Sequence, residues 1–437
     1  MQWHANSGVA VRGFTLIEIL VGMTIGMIAI IVMYQVFAVF ESQRRTTTSG
    51  SDTQTTGLIG LYNLERDARM AGYGLVHNRG VDDVNYEAQL VCARVSYSPT
   101  RATELDGAVD GTEPLLPVQI IDNDPATANG SDTVAIAYST SPFAAAAPTL
   151  SVAVAASATA LTVKNAPQAA TQNAVLAPGD YLLVATPAAI PSPNTGAAVP
   201  LVDCARVMVS AVAPAGTDTT VTLDPAKEDP SKPGHTPNPP TGLPAAYAAA
   251  TSNPSLVVNM GQFVRNAYSV ANRQLVVTDL TRNGAPMSLG ENVVTVQAQY
   301  GVAPANCTQP AVAPATGVIN CQSATTWVDA TGAWDLKPGV NPADHARIAR
   351  IKAIRVAVVL RSPLFEKEEV YPTASFATPC VDKDTPTQRG VCTWLGDAAN
   401  PSPDIGAIVT ADPDWRFYRY RVYETIVPLR NVIWASL

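Results

Sequence analysis

The sequence RGFTLIE at residues 12–18 is followed by ILVGMTIGMIAIIVMYQVFAVF at residues 19–40, a run without a charged side chain. At 1.5 Å per residue, a helix of this length extends about 33 Å, enough to cross a bilayer core of about 30 Å. A secretory signal peptide has a shorter apolar run with a small-residue cleavage site after it, whereas here Gly13 stands in front. The stretch therefore predicts one membrane-spanning helix that the mature protein retains.

The residues at the start of this helix resemble the type IV prepilin motif, with Gly13 followed by Phe14 and then by Glu18 at the fifth position after the glycine. The resemblance implies cleavage after Gly13 by prepilin peptidase, N-methylation of Phe14 and use of the helix in filament assembly. It also implies that the helix anchors the protein in the inner membrane with the body in the periplasm, and that the protein then enters a pilus at the cell surface. The predicted segments are a leader, an N-terminal helix whose first part spans the membrane, and a β-rich body: 1–13, 14–72 with the span at 14–40, and 73–437.

Glu18 is an ionisable residue at the edge of an apolar segment, where a carboxylate is costly without a partner. The amino group that cleavage creates on Phe14 is one helical turn away, in the same chain or on a neighbouring subunit. In the family that the motif resembles, it is the pairing between subunits that is thought to set the register. The alternative is a Glu18 side chain that reaches the lipid headgroups without a partner.

Gly22 and Gly26 lie four residues apart within the apolar run. Small residues at this spacing let two membrane helices approach closely, although the spacing also arises by chance in apolar helices. We predict that these two glycines are helix-packing positions.

Proline is absent from residues 1–98, and all 35 prolines follow. Because proline costs about 3 kcal/mol inside a helix, we expect helix first and strands later. Gly72-Tyr73-Gly74 predicts where the helix ends. Before it, helical periodicity predicts one apolar face, joined by Tyr62 and formed by Leu58, Leu61, Leu64 and Ala68.

Beyond residue 99, short β-type runs alternate with Gly, Pro, Asn and Asp, and no convincing amphipathic helix lies between them. Parallel strands need such crossovers, so the sequence predicts an antiparallel sheet and an α+β fold class. Stretches rich in Ala, Pro and Thr are expected to be loop insertions without cores of their own: 144–177, 187–200, 225–254 and 303–342. The predicted strands are 133–138, 181–185, 207–212, 219–223, 293–300 and 351–360.

Three further stretches resemble the PilW family of type IV minor pilins, in the same order: LERDARMAGY at 64–73, IRVAVVLRS at 354–362 and YRYRVYETIVPLRN at 418–431. In the last, Arg419 and Arg421 alternate with apolar side chains, which favours a half-buried strand over a basic binding stripe. The resemblance implies pilus assembly without catalysis, in a priming complex or at the pilus tip. The partners it implies are prepilin peptidase, other minor pilins, the major pilin, the inner-membrane assembly platform and, as a further candidate, a tip adhesin.

Other functions stay open on the sequence alone. A J-type pseudopilin of a type II secretion system shares the leader and the helix. The Ala/Pro/Thr-rich insertions leave room for an adhesive binding module, and a membrane-tethered periplasmic enzyme is a third hypothesis. The sequence does not distinguish motility, adhesion and DNA uptake as the cellular role.

The six cysteines all follow the membrane helix, in a compartment that the resemblance makes oxidising, so we expect disulfides. Fifteen connectivities are possible for six cysteines. Short loops rich in turn residues favour Cys307 with Cys321 and Cys380 with Cys392, which leaves Cys92 with Cys204. Buried free thiols are the alternative.

The sequence contains little material for catalysis, metal binding or nucleic-acid binding. It has 28 Lys and Arg against 36 Asp and Glu, and phosphate contacts need clustered cations, so no nucleic-acid partner is expected. Asp122-Asn123-Asp124 with Asp132 hints at a calcium loop, but the EF-hand spacing is missing and turn formation is the favoured interpretation. We expect no enzyme activity, no cofactor and no metal.

Overall fold

Helix α1 begins at Leu16 and ends at Met70 in the computed structural model. Its 55 residues correspond to a length of about 80 Å. Within the described part of the chain, Leu16–Arg45 is the segment long and apolar enough to cross a membrane. The predicted single apolar N-terminal helix is therefore confirmed.

The structure divides into two compact units, Met1–Asp52 and Thr53–Leu437. The second unit contains the sheets and the C-terminal part of α1. The residues that the structure describes are 15–78, 87–89, 92–96, 112–123, 130–144, 147–164, 176–185, 202–249, 254–282, 284–304, 323–336, 347–348, 350–371, 393–394, 403 and 405–434.

Two sheets of the body contact the C-terminal part of α1. The first sheet has the order β15-β14-β13-β6-β5, and the second has the order β17-β16-β18-β19. Their strands are β5 Val118–Ile121, β6 Thr133–Tyr138, β13 Val264–Ala271, β14 Gln274–Asp279, β15 Met287–Glu291, β16 Val293–Val302, β17 Thr326–Val328, β18 Ile351–Arg361 and β19 Tyr420–Pro428.

A second pair of sheets forms an accessory layer, and one short hairpin lies outside both pairs. The accessory sheets have the orders β12-β8-β9-β3-β4 and β10-β11-β7, and the hairpin joins β1 to β2. The strands are β1 Val76–Asn78, β2 Glu87–Gln89, β3 Cys92–Ser96, β4 Thr112–Leu115, β7 Ala160–Val163, β8 Tyr181–Ala185, β9 Val202–Met208, β10 Ala211–Ala215, β11 Asp218–Thr222 and β12 Leu256–Gly261. Short helices complete the description: α2 Ile405–Thr410, α3 Arg430–Trp434, and 3-10 turns at Gly332–Trp334 and Trp415–Phe417.

The α+β fold class and the predominance of antiparallel pairing are confirmed, with one parallel pair among the strands that the structure describes. β3 and β9 pair in parallel, with Val95 opposite Cys204. The chain between them passes through other strands of the sheets, so this pairing needs no helical crossover. The sequence did not predict this parallel pair, because we had considered only βαβ connections between parallel strands.

The main core lies between α1 and its two sheets, and the accessory layer has a core of its own. Residues from two of the Ala/Pro/Thr-rich stretches are buried in that second core together with residues of β8, β9 and β12, so these stretches contribute to a shared core. Their large apolar residues are well separated along the sequence, and the fold collects them on one side of β8, β9 and β12. The core residues from stretches 144–177 and 225–254 are Leu150, Leu161, Val163, Leu176, Leu243 and Tyr247.

Candidate functional site

The N-terminal turn of α1 holds the predicted assembly residue Glu18. The backbone N–H and the hydroxyl of Thr15 both donate to Glu18 Oε2, each at 2.9 Å, and Glu18 N donates to Thr15 Oγ1 at 3.3 Å. This reciprocal arrangement is a capping box, which satisfies amide groups that the first helical turn leaves open. The carboxylate is thus held at the helix start, next to the predicted cleavage position. Gly13 and Phe14 themselves lie outside the described residues.

The predicted packing glycines leave an open surface on the helix. A Cβ atom built on Gly22 or Gly26 meets no atom of the described chain within 4 Å. No described residue therefore fills these positions, and their role in packing against another helix stays a prediction.

The C-terminal part of α1 lies against the body on a face made of leucine, alanine and glycine residues. Leu61, Leu64, Ala68 and Ala71 are buried in the main core. A Cβ atom added to Gly57 would lie 2.7 Å from the Tyr423 ring. Leu58 and Tyr62, predicted for this face, are instead 50% and 65% exposed. The prediction was wrong at these two positions because the buried face follows Gly57, Leu61, Leu64 and Ala68, and Leu58 and Tyr62 each lie one residue further around the helix.

Asp67 is the polar centre of this contact. It is fully buried and accepts hydrogen bonds from Tyr268 Oη at 2.7 Å, Asn266 Nδ2 at 2.8 Å and Tyr138 Oη at 3.0 Å. Burial, together with the negative charge of Asp67, raises the pKa of both Tyr138 and Tyr268, so both phenols stay protonated and donate. On the solvent side, Arg66 Nη2 forms an ion pair with Asp67 Oδ1 at a distance of 3.2 Å. We call Asp67 and these three donors the Asp67 clamp.

The Asp67 clamp was missed at the level of sequence. An aspartate between two arginines is typical of a solvated ion pair on a helix surface. Its three neutral donors come from β6 and β13, and no local pattern connects those strands to the helix.

The end of α1 is fixed by a glycine turn and by the chain's C-terminal region. Gly72 and Gly74 have φ angles of +79° and +77°, a left-handed conformation that other residues rarely adopt. A Cβ atom on Gly74 would lie 2.7 Å from the Cβ atoms of both Ser139 and Ala144. Asn431 Nδ2 donates to the carbonyl oxygens of Met70 at 3.1 Å and Ala71 at 3.2 Å.

The family-like stretches thus meet in space. From 354–362, Ile354, Val356, Val358 and Leu360 belong to the same core as α1. From 418–431, Val427 and Leu429 belong to it as well. Arg419 Nε pairs with Glu366 at 2.9 Å, and Arg421 is exposed beside a half-buried face of β19.

The cysteine and metal predictions are only partly covered by the described residues. Cys204 is fully buried on β9 and takes part in a disulfide bond, and β9 runs beside β3, which begins at Cys92. That neighbourhood suits the predicted pairing of the two, which stays a prediction. The other four cysteines lie outside the described ranges: Cys307, Cys321, Cys380 and Cys392.

The aspartates at 122–132 have turn and packing contacts where the structure describes them. Asn123 Nδ2 donates to Ser131 O at 2.7 Å, and buried Asp132 accepts from Ala298 N at 2.7 Å. Among the described residues no three His, Cys, Asp or Glu side chains are grouped as a metal site.

Comparison with known proteins gives two family matches. Residues 10–34 match the prokaryotic N-terminal methylation motif, and residues 262–431 match the family described as type IV pilus-assembly protein W. No curated protein matches the chain. No solved structure matches it either. The second match begins just after β12, so the accessory layer lies outside both matched regions.

Proposed function

We propose that this chain, a type IV pilus-assembly protein that matches the PilW family of minor pilins, is processed after Gly13 and enters the pilus through α1. The observation that carries the proposal is the joining of the two matched regions. The matched C-terminal region supplies Asn266, Tyr268 and Asn431, which hold the helix that the methylation motif begins.

The helix has a different task in each of its parts. Its N-terminal part exposes apolar side chains, which a membrane-anchored pilin places in lipid before assembly and among other pilin helices afterwards. Its C-terminal part fixes the body to that anchor, so a subunit pulled by its helix carries its body along. In this proposal the work is assembly and not catalysis, with the body in the periplasm and later on the pilus.

Glu18 gives the proposed partner chemistry. Thr15 holds the Glu18 carboxylate at the helix start. There the carboxylate can form an ion pair with the positively charged, methylated amino terminus of a neighbouring pilin. We propose that the neighbours are other minor pilins and the major pilin in a priming complex. Prepilin peptidase and the inner-membrane assembly platform would act on the anchored precursor, and a tip adhesin would lie above it.

The first test is the intact mass of the protein from cells with and without prepilin peptidase. We expect loss of residues 1–13 and gain of one methyl group only when the peptidase is present. An unprocessed chain in both strains would contradict the proposal and leave a plain membrane anchor.

The second test separates processing from docking. Glu18→Ala should be cleaved normally but recovered in sheared pili at no more than about a tenth of the wild-type amount, since a pairing worth about 1.4 kcal/mol changes occupancy tenfold. Glu41→Ala, an acidic residue near the other end of the apolar run, is the matched control and should be incorporated normally. Equal incorporation of the Glu18 variant would remove the pairing role.

A further inference from the structure

A buried polar cluster lies where the accessory layer meets the matched C-terminal region. His235 is 4% exposed, and neither of its ring nitrogens has a hydrogen-bond partner among the described residues. Its Nδ1 is 3.9 Å from Asp229 Oδ2, too far for a hydrogen bond. A buried imidazole without hydrogen bonds is unusual and calls for an explanation.

The charged groups around His235 come from three places in the fold. Arg206 lies on β9, Asp229 and Lys232 lie on the same loop as His235, and Arg282 lies in the turn after β14. Tyr181 on β8 donates to Asp229 Oδ2 at 2.5 Å. Among the described residues whose charge acts on the ring, three are cations and one is the carboxylate of Asp229.

Asp229 and Arg282 join the two regions. Arg282 Nε donates to Asp229 Oδ2 at 3.0 Å, and Lys232 Nζ donates to the carbonyl oxygen of Arg282. Ser231 Oγ donates to Gln262 Oε1 at 2.9 Å. We call these contacts the 229–282 junction. Burial alone would raise the pKa of Asp229, but the hydrogen bonds from Tyr181, Ser231 and Arg282 and the charge of Arg282 outweigh it and lower that pKa.

A proton on His235 would therefore enter a site that already holds more positive than negative charge. Burial of the ring, and then the positive charge of Arg206, lower the pKa of His235 to about 4. The ring is neutral at pH 7 and stays so until the medium is acidic. In the unfolded chain its pKa is near 6.5, so the unfolded state binds the proton first, and the free energy of unfolding decreases as the pH falls from about 6.5 to about 4.

We propose that His235 is an acid-sensitive latch, whose protonation opens the 229–282 junction and loosens the loop at 229–235 from the turn that carries Arg282. The Asp67 clamp contains no histidine, so protonation of His235 itself would loosen the accessory layer and not the anchoring of α1. A body outside the inner membrane, as proposed above, experiences the external pH directly.

Hydrogen exchange of the full chain in detergent, followed by mass spectrometry at pH 7 and pH 4, tests the latch. After correction for the pH dependence of intrinsic exchange, peptides covering 225–240 should exchange at least tenfold faster at pH 4, whereas peptides covering 57–71 should change less than twofold. His235→Phe, which fills the space without titrating, should abolish the acid effect in 225–240. His345→Phe removes a histidine elsewhere and should keep it.

Unchanged exchange of the wild-type loop at pH 4 would overturn the proposal, and so would equal acid loosening in His235→Phe. The wild type alone decides the matter if the variant does not fold. Exchange at the imidazole C2 position then reports the titration of His235 in the native protein. A midpoint at pH 6 or above, or one that differs from the midpoint of loop loosening by more than one pH unit, would also reject the latch.

Discussion

The two parts of helix α1 have different surroundings. In Leu16–Asp52 the large apolar side chains are exposed, with Leu16 at 81% and Ile17 at 71%, whereas Leu64 and Ala68 in the C-terminal part are fully buried. The apolar part has no cover within the described chain, and the buried part is held through leucine, alanine and glycine contacts and one aspartate. Composition therefore identifies the part of α1 that its own body leaves uncovered, and not the part that the body holds.

Loss of the Asp67 clamp should have the largest effect on the held part of α1. Asp67→Ala leaves the buried Tyr268 hydroxyl and the half-buried Tyr138 and Asn266 donors without an acceptor, and we expect the free energy of unfolding to fall by about 3 to 5 kcal/mol. Urea unfolding of the detergent-solubilised chain measures it. Glu65→Ala, which removes only a surface ion pair, should cost less than about 1 kcal/mol. A similar cost for the two variants would mean that the clamp is not what holds the helix.

Closing the space at Gly74 tests the tight turn after α1. Gly74→Ala places a Cβ atom against Ser139 and Ala144 and forces a left-handed alanine, for an expected loss of about 2 to 3 kcal/mol in the same assay. Gly216→Ala has a φ of +68° but open space around the added atom. That control should lose only about 1 kcal/mol, and equal losses would show that packing at the turn does not matter.

Removal of the C-terminal cap should have a smaller effect. Asn431→Ala deletes two hydrogen bonds to the last carbonyl groups of α1, so we expect a loss of about 1 kcal/mol. Its exposed neighbour provides the control, and Arg430→Ala should stay within about 0.5 kcal/mol of the wild type. A neutral Asn431→Ala would show that water replaces the cap.

The exposed part of α1 should give the opposite pattern. Gly22→Leu and Gly26→Leu add side chains where the described chain has no neighbouring atom, so the unfolding free energy of the body should change by less than about 0.5 kcal/mol. Recovery in sheared pili should nevertheless fall if other helices pack on these glycines. Ile25→Leu, in the same run, is the control and should be incorporated normally. Normal incorporation of both glycine variants would remove their packing role.

The sequence predicted well the features that depend on local periodicity. The strands at 133–138 and 181–185 are confirmed as β6 and β8, and those at 293–300 and 351–360 are confirmed with ends one or two residues further on. The apolar helix and the resemblance to the PilW family could likewise be predicted from the sequence, because both depend on contiguous motifs.

Features that depend on distant pairs could not be predicted. Asp67 is defined by Tyr138, Asn266 and Tyr268, and the pattern around residue 67 contains none of them. The core of the accessory layer is built from isolated residues such as Leu150, Val163 and Leu243, each in an apparently polar or Ala-rich neighbourhood. Which of these residues become buried is decided by sheet packing, which no local window records.

The contact of Asn431 with the end of α1 spans 361 positions of sequence. If the body is translocated across the inner membrane, this contact cannot form until residue 431 has crossed, because the capping amide is made 361 positions after Met70. Contacts between distant segments also form slowly, since the chain between them must be ordered first. The anchor would then be in the membrane before its body is finished, and a truncated product would stay tethered there with an uncapped helix, open to periplasmic proteases.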